Sequence, residues 1–240
     1  MDPDPVHKQV RVLRAVRHTQ PLRRGDLLGN HFAIRVRDVQ AERASEAIEL
    51  LKEAEQMGLP AFFGPQRFGY RRNGHRVGGA VLGGRWREAL DELLGPGNGD
   101  NYPPEQHELR HAWASGDLAA LADGWRPAHQ AEMFAARAYL RHRDAEQAVR
   151  SIGQAGLNFF VTCFASLIYN QCLVRRMEAG LLGETLPGDI CVGRGLCRPT
   201  TRDEGAIPSA LFWGHGYKLA GGRIGDLERG VLEDFSVSET

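Results

Sequence analysis

The 240-residue chain reads as an α+β protein, and three features of the sequence point there. Two N-terminal stretches alternate apolar and polar residues, segments between residues 41 and 179 carry helical spacing, and the region after Pro187 is broken up by turn residues. A chain of this length can bury a sizeable core as one large domain or two small ones.

"VRVLRAVRH" (10–18) and "HFAIRVRDV" (31–39) alternate as half-buried strands do. In the second, Phe32, Ile34 and Val36 share one face while Arg35 and Arg37 share the other, which would make the strand pair a platform for polyanions. "AERASEAIELLKEAEQMG" (41–58) has helical spacing through Ile48, Leu51 and Ala54, and Gly58 is placed to stop the helix. The glycine-rich "GGAVLGG" (78–84) is expected to mark a boundary between a first region, 1–78, and a second, helix-rich region, 79–240. Its glycines are badly spaced for a dinucleotide or phosphate loop. Helices are expected at 84–94, 104–123, 128–140, 143–152 and 158–179, the last being the most apolar and the central core helix. From Pro187 onward, "PGDICVGRGLCRPTT" and "IPSALFWGHGYKL" suggest short strands and turns.

The zero net charge hides an asymmetry. Residues 1–90 hold 16 Lys/Arg against 10 Asp/Glu, and Lys8, Arg11, Arg14, Arg17, Arg23 and Arg24 cluster. Such a patch draws polyanions even on a neutral chain. No unbroken apolar run is as long as a membrane span, and the start "MDPDP" does not resemble a signal peptide. Cys163, Cys172, Cys191 and Cys197 lack paired CxxC spacing and read as reduced thiols, so the expectation is a cytoplasmic protein with no membrane partner.

"HELRH" (107–111) matches the HExxH zinc pattern, with His107 and His111 one helical turn apart and Glu108 placed to polarise a metal-bound water. No third ligand is evident; Glu132 or His129 would be guesses. The segment is polar on every side, so a solvated helix is the expectation and a zinc hydrolase the remote alternative. No GxSxG nucleophile elbow occurs.

"LPAFFGPQRFGYRRNG" (59–74) joins aromatic, basic and glycine residues in one loop, a composition suited to stacking bases and neutralising phosphates. A hydrophobic turn with solvated arginines is the other reading.

"GLPAFFGPQRFG" resembles the G-V/I-P-N-Y-F-G-x-Q-R-F-G signature of the TruD family of tRNA pseudouridine synthases. "RHTQPLRRGDLLGNHFAIRVRDV" resembles that family's R-H-x-x-K-L-R-x-G-x-L-x-G-N-x-F run. "SLIYNQCLVRR" (166–176) resembles its S-x-L-F-N-x-x-V/L-x-x-R helix, and "LPGD" (186–189) falls at its G-D turn. The resemblance implies a bent, mixed but mostly antiparallel sheet flanked by helices, with an inserted α/β domain called TRUD and RNA in the cleft between. It implies isomerisation of uridine to pseudouridine in tRNA, without a cofactor, by a monomer. Phe63 would stack on the flipped base; Gln66 and Arg67 would orient the loop or meet backbone phosphate. Asn30 would hold the turn before the second strand, and Phe68, Arg24 and Arg35 would add to the RNA-binding face.

Two departures qualify this. The family's signature asparagine corresponds to Ala61, and the family's catalytic-aspartate block, G-x-K-D-x-x-A-x-T-x-Q, does not occur in residues 1–240. The expectation is therefore a family member short at both ends, with Asp26 the nearest candidate for a substitute nucleophile. A non-catalytic RNA-binding module is the alternative function.

Overall fold

The computed structural model describes residues 12–21, 23, 31–97, 101–121, 124–192, 199–200 and 207–237. The chain falls into two compact units, Met1–Ala47 and Ile48–Thr240.

In the first unit the described residues 12–21 and 31–40 form no strand ladder. Leu13, Phe32, Ile34 and Val36 are 73–87% exposed. Alternation marks a strand only when a partner backbone takes its hydrogen bonds and one face is covered, and neither occurs among the described residues here. Helix α1 (Ala41–Met57) runs across the division between the units and forms where its spacing predicts. Gly58 ends it at φ +80°, donating its N–H to Ala54. The stripe through Ile48 and Leu51 stays exposed.

The second unit is built on helices. α2 (Gly74–Leu82) and α3 (Trp86–Leu94) precede α4 (His107–Ser115), α5 (Gln130–His142) and α6 (Ala145–Arg150). Asp144 caps α6 by accepting the Gln147 N–H at 2.7 Å. The long α7 (Gln154–Glu178) follows, and α8 (Gly222–Asp234) closes the series. Between them lies a three-stranded antiparallel sheet with β1 (Cys191–Val192) central, flanked by β2 (Pro199–Thr200) and β3 (Ile207–Pro208). Cys191 faces Thr200 on one side and Pro208 on the other. The architecture is α+β, helix-dominated among the described residues.

Most of the glycine-rich stretch lies within α2. Gly74 and Gly78 lie one turn apart on the face of α2 that meets α7. A Cβ on Gly78 would lie 2.0 Å from the Phe160 carbonyl oxygen, and one on Gly79 would lie 3.0 Å from the Phe164 ring. The missing side chains let the two backbones approach, and this close packing outweighs the low helix propensity of glycine.

Trp113, Leu90, Leu94, Val77 and Phe160 anchor one core cluster. Phe164, Ile168, Cys172, Val231 and Leu232 anchor a second, between α7 and α8. By length and composition α7 is apolar enough to cross a membrane, although no unbroken apolar run does so. Asn158, Thr162, Ser166 and Asn170 interrupt it, and α2 and α8 pack on it.

In the last turn of α7, Arg176 makes a buried two-pronged ion pair with Asp189, at 2.7 and 2.9 Å. Its remaining donors meet the carbonyls of Leu181 and Glu184. Asp189 also accepts the Leu186 N–H, so the "LPGD" turn is pinned to the helix. Gly188, at φ +97°, lies against the Gly221 backbone and accepts its N–H at 2.8 Å.

Candidate functional site

Residues 59–73 run as an irregular loop around one turn of 3-10 helix (Pro65–Phe68), and α7 is its platform. The carboxamide of Asn170 clamps the backbone of Phe63, accepting its N–H at 2.9 Å and donating to its carbonyl at 3.0 Å. One turn earlier, Ser166 accepts the Arg67 Nε–H at 2.9 Å. One turn earlier again, the buried Cys163 thiol donates to the Arg67 carbonyl at 3.1 Å. Burial pushes that thiol up to about 11, against the opposing pull of Arg67, so it stays a neutral donor. Three positions spaced along one face of α7 thus fix the loop.

The clamp sets the Phe63 ring. It stands edge-on to Tyr169 with centroids 5.1 Å apart, tilted toward Phe212 at 6.0 Å, with the Arg67 guanidinium 5.4 Å from its centroid. Phe63 and Arg67 are partly exposed, and Phe212 is 47% exposed. Among the described residues no carboxylate pairs with Arg67. A half-open aromatic ring beneath an uncompensated cation can stack a planar ring and attract an anion.

The remaining loop side chains divide between surface and core. Gln66 is exposed on the turn, as a surface contact requires. Phe68 turns inward, edge-on to His75 at 5.3 Å. Arg71 is buried: its guanidinium donates to the carbonyls of Glu92, Gly95 and Pro96 at 2.6–3.0 Å, satisfying the C-terminal end of α3. It is a structural cation, not a phosphate ligand. Burial is the main cause that lowers its proton affinity, with Arg110 alongside. Arg35 is exposed in the first unit, while Arg24, Asp26 and Asn30 lie outside the described residues, as does Cys197.

α4 is not solvated on every side. Arg110 is fully buried, donating to Gln106, to the Leu93 carbonyl at 2.8 Å and to the Tyr70 hydroxyl at 2.8 Å. Its guanidinium lies 5.0 Å from the rings of Tyr102 and Trp125 and 3.4 Å from Glu132. These partners offset the cost of burying the charge, which is why a polar-looking segment packs. The Tyr70 hydroxyl donates to Glu132 at 2.5 Å; burial, then the nearby carboxylate, pushes it up to about 12. The exposed His107 and His111 rings lie tilted with centroids 4.2 Å apart, and among the described residues no group of three His, Cys, Asp or Glu could hold a metal.

Asn170, Ser166, Tyr169 and Phe212 are the site residues the sequence left without a role. The first three stand in the "SLIYN" run, but nothing linear in the sequence ties them to a loop about a hundred residues earlier.

A family model described as tRNA pseudouridine synthase D (TruD) matches residues 3–240. A tRNA pseudouridine synthase D of Geotalea daltonii is 31% identical over 205 residues, covering 84% of this chain and 51% of its own. One from Pyrococcus abyssi, named a probable tRNA pseudouridine synthase D, is 33% identical over 250 residues, covering 94% and 60%. A Methanosarcina mazei crystal structure assigned as a tRNA pseudouridine synthase D superposes with TM-score 0.67 at 26% identity, over 81% of this chain and 51% of that one. The chain thus spans about half to three-fifths of the length of these relatives. With the family model spanning nearly every residue, the chain belongs to the TruD family.

Proposed function

We propose that this chain acts on tRNA as a pseudouridine synthase, isomerising uridine to pseudouridine. The glycosidic N1–C1′ bond breaks, the uracil turns, and C5 bonds to C1′; C5 gives up its proton and N1 gains one, so atoms balance without a redox step. The observation that carries this reading is the Phe63–Arg67 loop: a clamped, half-open aromatic ring with a guanidinium above it and no carboxylate partner among the described residues. Phe63 would stack on the extruded base, Arg67 and Gln66 would meet the flanking backbone, and Tyr169 and Phe212 would wall the slot. Arg24, Asn30 and Arg35 would add contacts to RNA, and Asp26 is the first carboxylate to mutate. The names of the relatives support the choice of tRNA and of this reaction.

Salt titrations of tRNA affinity test it. Phe63→Ala is expected to weaken binding by roughly tenfold, the worth of one stacked base. Arg67→Ala is expected to lower the salt slope by about one, the mark of a lost phosphate contact. If both variants bind tRNA as the parent does, the loop is not the RNA-facing element.

A further inference from the structure

At its far end the same loop closes a cavity of about 250 Å³, separate from the Phe63 slot. Phe68, Tyr70, Phe159 and Phe160 supply aromatic walls, and Glu132 and Arg71 supply the polar lining. Phe159 is 39% exposed and Tyr70 55%, so the mouth is open and aromatic. Inside, the carboxylate is only half used. Glu132 is 95% buried, yet Tyr70 and Arg110 both bond its Oε1. Oε2 has no hydrogen-bonding partner among the described residues, and Glu132 lines the cavity. Arg71, 93% buried, spends its terminal nitrogens on backbone carbonyls and adds positive charge to the wall. A buried carboxylate oxygen left over, as Oε2 is, is rare and calls for a partner.

We infer that this cavity is a second base site, taking a nucleobase that carries an exocyclic amine. Aromatic walls suit the flat faces of a heterocycle. The free Glu132 Oε2 suits an N–H edge, as carboxylates accept from base amines. Guanine offers two adjacent N–H donors and matches best. Uracil, with one N–H between two carbonyls, would set an oxygen against the carboxylate and is disfavoured. The volume suits one base and not a base pair. Phe159 and Asn170 lie on one helix, eleven residues and about 16 Å apart, so one RNA strand could fill the Phe63 slot and this cavity with different nucleotides. The inference rests on the RNA reading above.

The test uses the full chain with guanosine, cytidine, adenosine and uridine 5′-monophosphates, followed by NMR or intrinsic fluorescence, with tRNA as competitor. Guanosine monophosphate is expected to bind best and uridine monophosphate worst. Phe159→Ala, at an exposed wall position, is expected to weaken the guanine nucleotide roughly tenfold. Glu132→Gln, which keeps the size and the Oε1 acceptor, is expected to abolish the preference over uridine. Competition by tRNA would identify a base within RNA as the natural occupant; binding without competition would identify a free nucleotide. No monophosphate binding, or guanine binding unchanged in Phe159→Ala, overturns the site, while tRNA binding that still depends on Phe63 would leave the first reading standing.

Discussion

Replacing Asn170 with alanine isolates the device that positions the loop. The side chain makes two hydrogen bonds to one residue, 2.9 Å from the Phe63 N–H and 3.0 Å to its carbonyl. Each such bond is worth about 0.5–1.5 kcal/mol net, and an unpaired buried group costs more. Phe63 is only partly buried, so water can reach the freed groups, and the sum comes to about 2 kcal/mol. The loss falls on the loop: the helix keeps its own ladder, and Ser166 and Cys163 still hold Arg67. The observable is therefore local opening. Hydrogen exchange at the Phe63 amide is expected to speed up roughly 30-fold while the amides of α7 keep their protection. Asn170→Asp keeps an acceptor for the Phe63 N–H but sets a carboxylate oxygen against its carbonyl, so it should fall between wild type and Asn170→Ala. An Asn170→Ala protein whose Phe63 amide exchanges at the wild-type rate would refute the clamp.

The other predictions concern the scaffold and are read from denaturant and thermal melts. Gly78→Ala brings a methyl within 2.0 Å of the Phe160 carbonyl, so α2 must back away from α7; a loss of about 3 kcal/mol is expected, and a neutral result would contradict that packing. Arg176→Ala strands the buried Asp189 and should cost about 3–5 kcal/mol; removing both partners together should cost less than the two single losses added. Glu228 is buried and accepts the Ala220 N–H; burial raises its pKa above the ordinary carboxylate range. A raised folded-state pKa means that the native form holds the extra proton. Stability then falls as pH rises from the unfolded value through the folded one. Glu228→Gln should therefore raise Tm at pH 8 and give little or nothing at pH 4, and an equal effect at both would contradict the assignment.

How much of this could be read in advance depends on whether the cause lay close along the chain. Helix α7 and the stop at Gly58 follow from local spacing and one glycine, and the structure carries both. The loop was legible as an aromatic, basic segment because its residues are contiguous. Arg71 was not, since what consumes its charge is the end of α3, more than twenty residues on. Arg110 looked solvated for the same reason: Gln106 lies one turn away, but Glu132, Tyr70 and the Leu93 carbonyl come from three other segments. That Gly78 and Gly79 stand in a helix was not legible either, because glycine is a poor helix former when nothing lies against it, and the close approach of α7 reverses that. The alternation at 31–39 marks a possible strand, but the exposed Phe32 and Ile34 lack the covered face that would make it one.

Release of tritium from tRNA transcripts labelled at uridine C5 reports the proposed isomerisation directly, because C5 exchanges its hydrogen for the bond to C1′. The account predicts release above background by the purified chain, falling sharply in Phe63→Ala. Background release together with no salt-sensitive tRNA binding would contradict it.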